Sequence, residues 1–110
     1  MIDIRITYSG KRYSVEICGH AGYGEPGKDI VCAGVSALTY ALANYLLASK
    51  NVCHPEIEDD GNFCMSCILG DYYSGAGADK AREVLGAMEQ GYHLLEKEYP
   101  GHVKMKIAFD

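Results

Sequence analysis

Cys32 and His20 are the residues whose types and positions in this sequence could support nucleophilic chemistry. Asp29 is a preferred helix N-cap, and the apolar pattern after it predicts a helix with Cys32 in its first turn. The helix dipole and the unpaired backbone N–H groups at that end stabilise a thiolate, the nucleophilic form of sulfur. The same N–H groups could receive the oxyanion that forms when a carbonyl is attacked. The segment therefore allows Cys32 to act as a nucleophile.

His20 could be the partner of that thiolate. It lies where a predicted strand passes into a glycine-rich loop, residues 19–28, which could fold back over the start of the helix. The imidazole would then reach the sulfur and later protonate a leaving amine. Ser36 lies one helical turn beyond Cys32, where it could orient a group in the site or bond the carbonyl one turn back.

Spacing alone leaves a simpler interpretation open for each of these residues. A cysteine in an apolar helix is more often a small core residue than a nucleophile. Asp29 is fully explained as an N-cap, His20 as a surface or capping residue, and the glycines as a loop. A cysteine with a histidine elsewhere in the chain is by itself a weak signal for catalysis.

The elements that must position these residues follow from hydrophobic periodicity. Alternating apolar and polar residues predict strands over 2–8 and 13–17, joined by a turn at 9–11. Further on, the pattern predicts a helix from Asp29 to about Lys50 and then a hairpin over about 54–69 that turns at 59–62. A glycine-containing loop over 70–77 leads into a second helix, which stops at Pro100, and a strand over 103–109 follows. The apolar face of the first helix is predicted to comprise Ile30, Val31, Val35, Leu38, Leu42, Tyr45 and Leu46, and that of the second Ala81, Val84, Leu85, Met88, Tyr92, Leu95 and Tyr99. The order ββαββαβ predicts an α+β fold of two layers, with two helices on one face of a mainly antiparallel sheet.

Composition limits the class of protein and its partners. The chain has 110 residues, the length of a single domain, and a formal net charge of −5, which is unsuited to direct nucleic-acid binding. The N-terminus lacks the basic and apolar regions of a signal peptide. Polar residues interrupt the apolar run over 31–48, which predicts a buried helix rather than a membrane span. Five cysteines without a secretion signal indicate reduced thiols in the cytosol.

Three further features admit two interpretations each. Cys64 and Cys67, with Cys53-His54 upstream, have the spacing of zinc or redox ligands. They lie three apart in a predicted strand and should point to opposite faces, which favours burial and predicts no metal site.

Tyr72 and Tyr73 could line a groove for an aromatic side chain, although a core edge or a dimer interface is the favoured interpretation. The acidic stretch over 56–60 could attract a basic peptide, but it is more typical of a solvated strand edge.

Three segments together resemble the signature of the ribosomal-processing cysteine proteases. They are His20-Ala21-Gly22, then Gly27-Lys28-Asp29-Ile30-Val31-Cys32-Ala33, then Val35-Ser36-Ala37-Leu38. The resemblance implies a cytoplasmic endopeptidase that works as a homodimer without a cofactor. Its substrate would be the N-terminal segment of large-subunit ribosomal protein twenty-seven, from which it removes a short extension after an aromatic pair.

Carried onto this chain, the resemblance implies one cysteine-peptidase domain over residues 1–110, with Cys32 as nucleophile and His20 as base. Asp29 and Ser36 would support this dyad. The glycines of the segment that would order around substrate are Gly19, Gly22, Gly24 and Gly27. The alternative hypothesis is a non-catalytic module that grips a basic ribosomal protein or assembly factor, with Cys32 in its core. A thiol-redox role for Cys64 and Cys67 is a third possibility.

Overall fold

The computed structural model describes residues 1–110 and contains five strands and two helices in the predicted order ββαββαβ. The strands are β1 (Ile2–Ser9), β2 (Arg12–Gly19), β3 (Val52–Asp59), β4 (Phe63–Leu69) and β5 (Val103–Phe109). The helices are α1 (Ile30–Ala48) and α2 (Ala78–Glu98). The predicted element boundaries therefore hold to within a few residues, because the periodicity of each segment is regular.

The strands form one mixed sheet in the order β3-β4-β2-β1-β5. Three neighbouring pairs are antiparallel, and β1 and β5 are parallel, so the sheet is mainly antiparallel as predicted. Inward residues of the central strands alternate with outward ones, and both helices pack on the inward face. The α+β prediction with two layers is confirmed.

Two residues assigned to apolar helix faces are on the surface instead, and so is the last residue of β5. Ile30 of α1 is 59% exposed, Val84 of α2 is 37% exposed, and Phe109 at the end of β5 is 77% exposed. Each lies at the margin of its element's buried stripe or at a strand end, where the neighbouring layer does not reach. By length and composition α1 could cross a membrane, but it packs on the sheet through a buried stripe that includes Val31, Val35 and Leu42.

Glycines set the distance between the two helices. A Cβ on Gly91 of α2 would lie 2.6 Å from the Leu38 side chain of α1, and one on Gly34 of α1 would lie 3.4 Å from Leu95 of α2. Glycine has a low helix propensity, so each of these positions lowers the stability of its own helix. In return, the two helices can pack closely.

We expect Gly91→Ala to lower the free energy of unfolding by about 1 kcal/mol, because overpacking against Leu38 outweighs the gain in helix propensity. Gly86→Ala is the matched control: its Cβ would meet nothing within 4 Å, so it should stabilise α2 by up to about 1 kcal/mol. Urea unfolding of both variants measures the difference. Equal effects of the two substitutions would contradict a packing role for Gly91.

A carboxylate that periodicity did not predict is buried in the core. Glu89 of α2 is 5% exposed, and its Oε2 accepts hydrogen bonds from the hydroxyls of Tyr8 at 2.7 Å and Tyr13 at 2.9 Å. These two bonds tie α2 to the central strands β1 and β2. Desolvation raises the pKa of Glu89 above its usual 4.5, and the two phenol donors oppose that rise.

Glu89 should therefore make stability fall as pH rises above about 4.5. A raised pKa means that the folded state binds the proton more tightly, so its contribution is complete below the unfolded pKa and is lost as pH rises through the folded one. We expect Glu89→Gln, which keeps an acceptor for both phenols, to remove this dependence. Thermal melts of the two proteins from pH 4 to 8 test it, and parallel curves would contradict it.

Candidate active site

The start of α1 is organised by the carboxylate of Asp29. Its Oδ1 accepts hydrogen bonds from the backbone N–H groups of Val31 at 3.0 Å and Cys32 at 3.1 Å, so Asp29 is the N-cap as predicted. This places Cys32 in the first turn of the helix. Its side chain is half-buried, not enclosed in the packed interior.

The second oxygen of the same carboxylate holds the glycine-rich loop. Asp29 Oδ2 accepts from the N–H groups of Tyr23 at 3.0 Å and Gly24 at 3.1 Å. One side chain, itself 9% exposed, thus joins the helix start to the loop that precedes it. Desolvation alone would raise the pKa of Asp29, but the four backbone donors outweigh it and hold that pKa below its usual value.

One tyrosine and one histidine from the C-terminal part of the chain secure the beginning of the loop. The His102 ring nitrogen Nδ1 is hydrogen-bonded to the backbone oxygen of Ala21 at 2.7 Å. The Tyr23 ring packs edge-on against Tyr99, with centroids 5.1 Å apart, and against His102 at 5.2 Å. The segment between α2 and β5 therefore fixes the path of the chain just after His20.

An open cleft of about 620 Å³ contains both members of the predicted dyad. Its lining residues are His20, Gly22, Gly24, Pro26, Gly27, Asp29, Cys32, Ala33 and Ser36. His20 enters from the end of β2, and Cys32 and Ser36 enter from α1, one helical turn apart. The structure thus brings together almost every residue that the sequence pattern singled out, at the surface where a peptide could approach.

Gly19 is the predicted loop residue that lies outside this cleft. It ends β2 with a φ of +92°, and a Cβ there would clash with the carbonyl oxygen of Met1. Only glycine adopts this conformation readily beside a neighbouring backbone. Gly19 therefore fixes the backbone conformation at the end of β2 and, with it, the position of His20.

The expectation that the helix N–H groups would receive an oxyanion is wrong for three amides of the first turn. Those of Val31 and Cys32 are bonded to the Asp29 side chain, and that of Ala33 is bonded to the Asp29 carbonyl oxygen at 3.0 Å. The capping that makes the helix begin at this point occupies these three donors. Gly22 and Gly27 also line the cleft, and their backbone N–H groups donate no hydrogen bond within the chain.

Tyr72 and Tyr73 lie at the other end of the molecule. They are 69% and 93% exposed and line a depression beside Lys50, which follows α1. A helix of 19 residues is about 28 Å long, so this depression is far from Cys32 in the same chain. The interpretation as a core edge is wrong, because both side chains are exposed. The interpretations as a groove for an aromatic side chain and as a dimer interface stay predictions.

The remaining cysteines lie on the sheet, and all five are free thiols. Cys67 is buried among core residues of the inward face, and burial raises its pKa to about 12. Cys64 is on the opposite face, where desolvation and then the carboxylates of Glu16 and Glu58 raise its pKa. The two thiols do not converge, which confirms the geometric objection to a zinc or disulfide pair.

Sequence reasoning missed the residues that anchor the loop. Tyr23 carried no signal beyond its place among glycines, and Tyr99 and His102 are about 80 positions away in the chain. Only a contact pattern across the fold could identify them. The double role of Asp29 was missed as well, since an N-cap accounts for an aspartate at that position completely.

Comparison with known proteins points to a single family. The sequence model of the family described as cysteine protease Prp matches residues 1–104. The ribosomal processing cysteine protease Prp of Staphylococcus aureus is 30% identical over 107 residues, which cover 94% of each chain. The protein of the same name from Bacillus subtilis is 27% identical over 104 residues, which cover 93% of this chain and 91% of that one.

Solved structures share the fold over nearly the whole chain. One is the S. aureus Prp in complex with a covalently linked product peptide, with a TM-score of 0.76 and 28% identity over 97% of this chain and 99% of that one. Another is SMU.848 from Streptococcus mutans, with a TM-score of 0.69 and 34% identity over 100% of this chain and 96% of that one.

Proposed function

Since the chain belongs to the cysteine protease Prp family and is itself a cysteine protease, we propose that it removes a short N-terminal extension from large-subunit ribosomal protein twenty-seven by cutting after an aromatic pair. The relatives are named as ribosomal processing enzymes, which supports a ribosomal protein as substrate. The observation that carries the proposal is that His20 and Cys32 line one open cleft at the start of α1. The net charge of −5 also suits a basic substrate.

The chemistry follows from the positions of the cleft residues. His20 takes the proton of the Cys32 thiol, and the thiolate attacks the scissile carbonyl carbon. The resulting oxyanion would be received by the loop amides of Gly22 and Gly27. His20 then gives its proton to the departing amine, and the C–N bond breaks to leave a thioester. Water, deprotonated by His20, hydrolyses that thioester and restores the thiol.

Asp29 and Ser36 have different supporting roles in this proposal. The two hydrogen bonds by which Asp29 holds the loop are called the loop clamp here. Asp29 fixes the loop over the helix start, which holds the candidate amide donors near the sulfur. Ser36 lies exposed on the same wall as Cys32, where its hydroxyl can contact a bound peptide. Positioning of this kind matters because misplacement by about 1 Å can cost about a hundredfold in rate.

The direct test is cleavage of a peptide that spans an aromatic-pair junction, followed by mass spectrometry. We expect cleavage after the pair and none when both aromatic residues are replaced by alanine. A protein that binds the peptide but leaves it intact would instead favour the non-catalytic module. The N-terminal sequence of the ribosomal protein, determined in cells with and without this gene, extends the test to the natural substrate.

A homodimer is part of the proposal. Tyr72 and Tyr73 form an exposed aromatic group with His54, at ring separations of 5.3 and 5.4 Å, at the end of the molecule opposite the cleft. Pairing there would leave both clefts open. Sedimentation velocity should give the dimer mass for the unaltered protein and a monomer for the double variant Tyr72→Ser, Tyr73→Ser. A monomeric unaltered protein would contradict this part.

The cytoplasm is the compartment in which this function would operate, with no direct contact to nucleic acid or membrane. Ribosomal proteins are assembled there, and reduced thiols persist there. Cell fractionation with an antibody to the protein should place it in the soluble fraction. Recovery with membranes would contradict this.

A further inference from the structure

A second groove joins the cleft at Ser36. It has a volume of about 160 Å³, which suits one side chain rather than a length of peptide. Its walls come from three elements: α1, the end of β2, and the turn between β3 and β4. We call it the side groove and define it by Ser36, Tyr40, Asp59, Gly61 and Phe63. Ser36 lines both the cleft and the side groove, so a bound peptide could reach from one into the other.

Two aromatic rings belong to the apolar part of the side groove, together with Ile17, Cys18 and Val35. Tyr40 of α1, which is 55% exposed, packs edge-on against Phe63 of β4, with ring centroids 6.1 Å apart. Both rings line the groove. Aromatic faces of this kind pack well against the methylene stem of a long side chain.

A carboxylate lies at the rim of the same groove. Asp59, the last residue of β3, is exposed and lines the groove beside Gly61. No lysine or arginine is among the lining residues, and none of the ion pairs of the chain involves Asp59. The side groove therefore combines an apolar wall with an unpaired negative charge, and it lacks a cation of its own.

We infer that the side groove is a specificity subsite that takes a lysine or arginine side chain of the substrate. The stem would lie against Tyr40 and Phe63, and the cationic end would meet Asp59. This inference rests on the proposed peptidase function. Cys32 and Tyr40 are eight residues apart on α1, or about 12 Å, which an extended peptide spans in three to four residues. The basic residue should thus lie three or four positions from the scissile bond.

The test compares peptides that keep the aromatic pair directly before the bond and carry one lysine, placed three or four residues before the bond or one to four residues after it. Each has a matched peptide with norleucine, which keeps the stem and lacks the charge. Affinity is measured with the Cys32→Ala variant by fluorescence anisotropy, and kcat/KM with the active enzyme. At one position three or four residues from the bond, lysine should improve both by about two- to fivefold over norleucine.

Asp59→Asn should bring that ratio to about one, and raised ionic strength should reduce it in the unaltered protein. Glu83→Gln is the matched control, because it removes one exposed carboxylate from α2, outside the cleft and the side groove, and should leave the ratio unchanged. Thermal melts confirm that both variants fold.

Equal affinity for lysine and norleucine at every position would overturn the subsite, and so would a lysine preference that survives Asp59→Asn. A preference for an aromatic side chain at the position in question, indifferent to Asp59, would also overturn it. Absence of cleavage would contradict the proposed function instead. The binding ratio in the Cys32→Ala variant still decides for or against the subsite in that case.

Discussion

Replacing Cys32 with alanine should abolish peptide cleavage while the protein keeps its fold. Cys32 supplies the nucleophile in the proposed mechanism, and loss of a nucleophile lowers kcat by more than about a thousandfold in enzymes of this kind. The side chain is half-buried at the surface of the cleft, so the smaller alanine leaves the core packing in place. The measurement is kcat/KM with an aromatic-pair peptide, together with a thermal melt of the variant.

Cys64→Ala is the control for this prediction. It removes a partly buried thiol from the outward face of the sheet, away from the cleft, and should leave cleavage unchanged. Cleavage that survives in the Cys32→Ala variant would rule out the assignment of the nucleophile. His20→Ala should also lose activity, and because His20 is exposed, it should do so without loss of stability.

Substitution of Asp29 should separate its two structural roles. Asp29→Asn keeps an oxygen that can cap α1, but its amide group cannot also accept from Tyr23 and Gly24. Asp29→Ala loses the cap and the loop clamp together. We expect kcat/KM to fall about tenfold for asparagine and about a hundredfold for alanine, because the loop and the sulfur lose their fixed relation.

Stability and hydrogen exchange distinguish this explanation from a general loss of structure. The melting temperature should fall more for alanine than for asparagine, since Asn remains a good N-cap. The amides of Tyr23 and Gly24 should exchange faster in both variants, whereas those in the middle of α1 should stay protected. If both variants keep full activity while the two loop amides exchange faster, the clamp has no part in catalysis.

The strands, the helices and the order of elements follow from local periodicity. Alternation fixes which side of β1 and β2 is buried, and the spacing of apolar residues in α1 and α2 fixes their inward faces. The start of α1 is equally local, because Asp29 reaches only two and three residues ahead. The predicted dyad depends on that local feature and on the motif around it, so it could be identified without coordinates.

The tertiary structure decided what depends on contacts between distant parts of the chain. The parallel pairing of β1 with β5, the burial of Glu89 under Tyr8 and Tyr13, and the anchoring of Ala21 by His102 join residues about 80 to 100 positions apart. Periodicity carries no information on such pairs, because it describes one element at a time. It also does not show that Asp29, while one oxygen caps α1, holds the loop with the other. The sequence by itself determined which side chains could react, and the contacts of Tyr99 and His102, between α2 and β5, with the loop decided how the cleft that holds them is built.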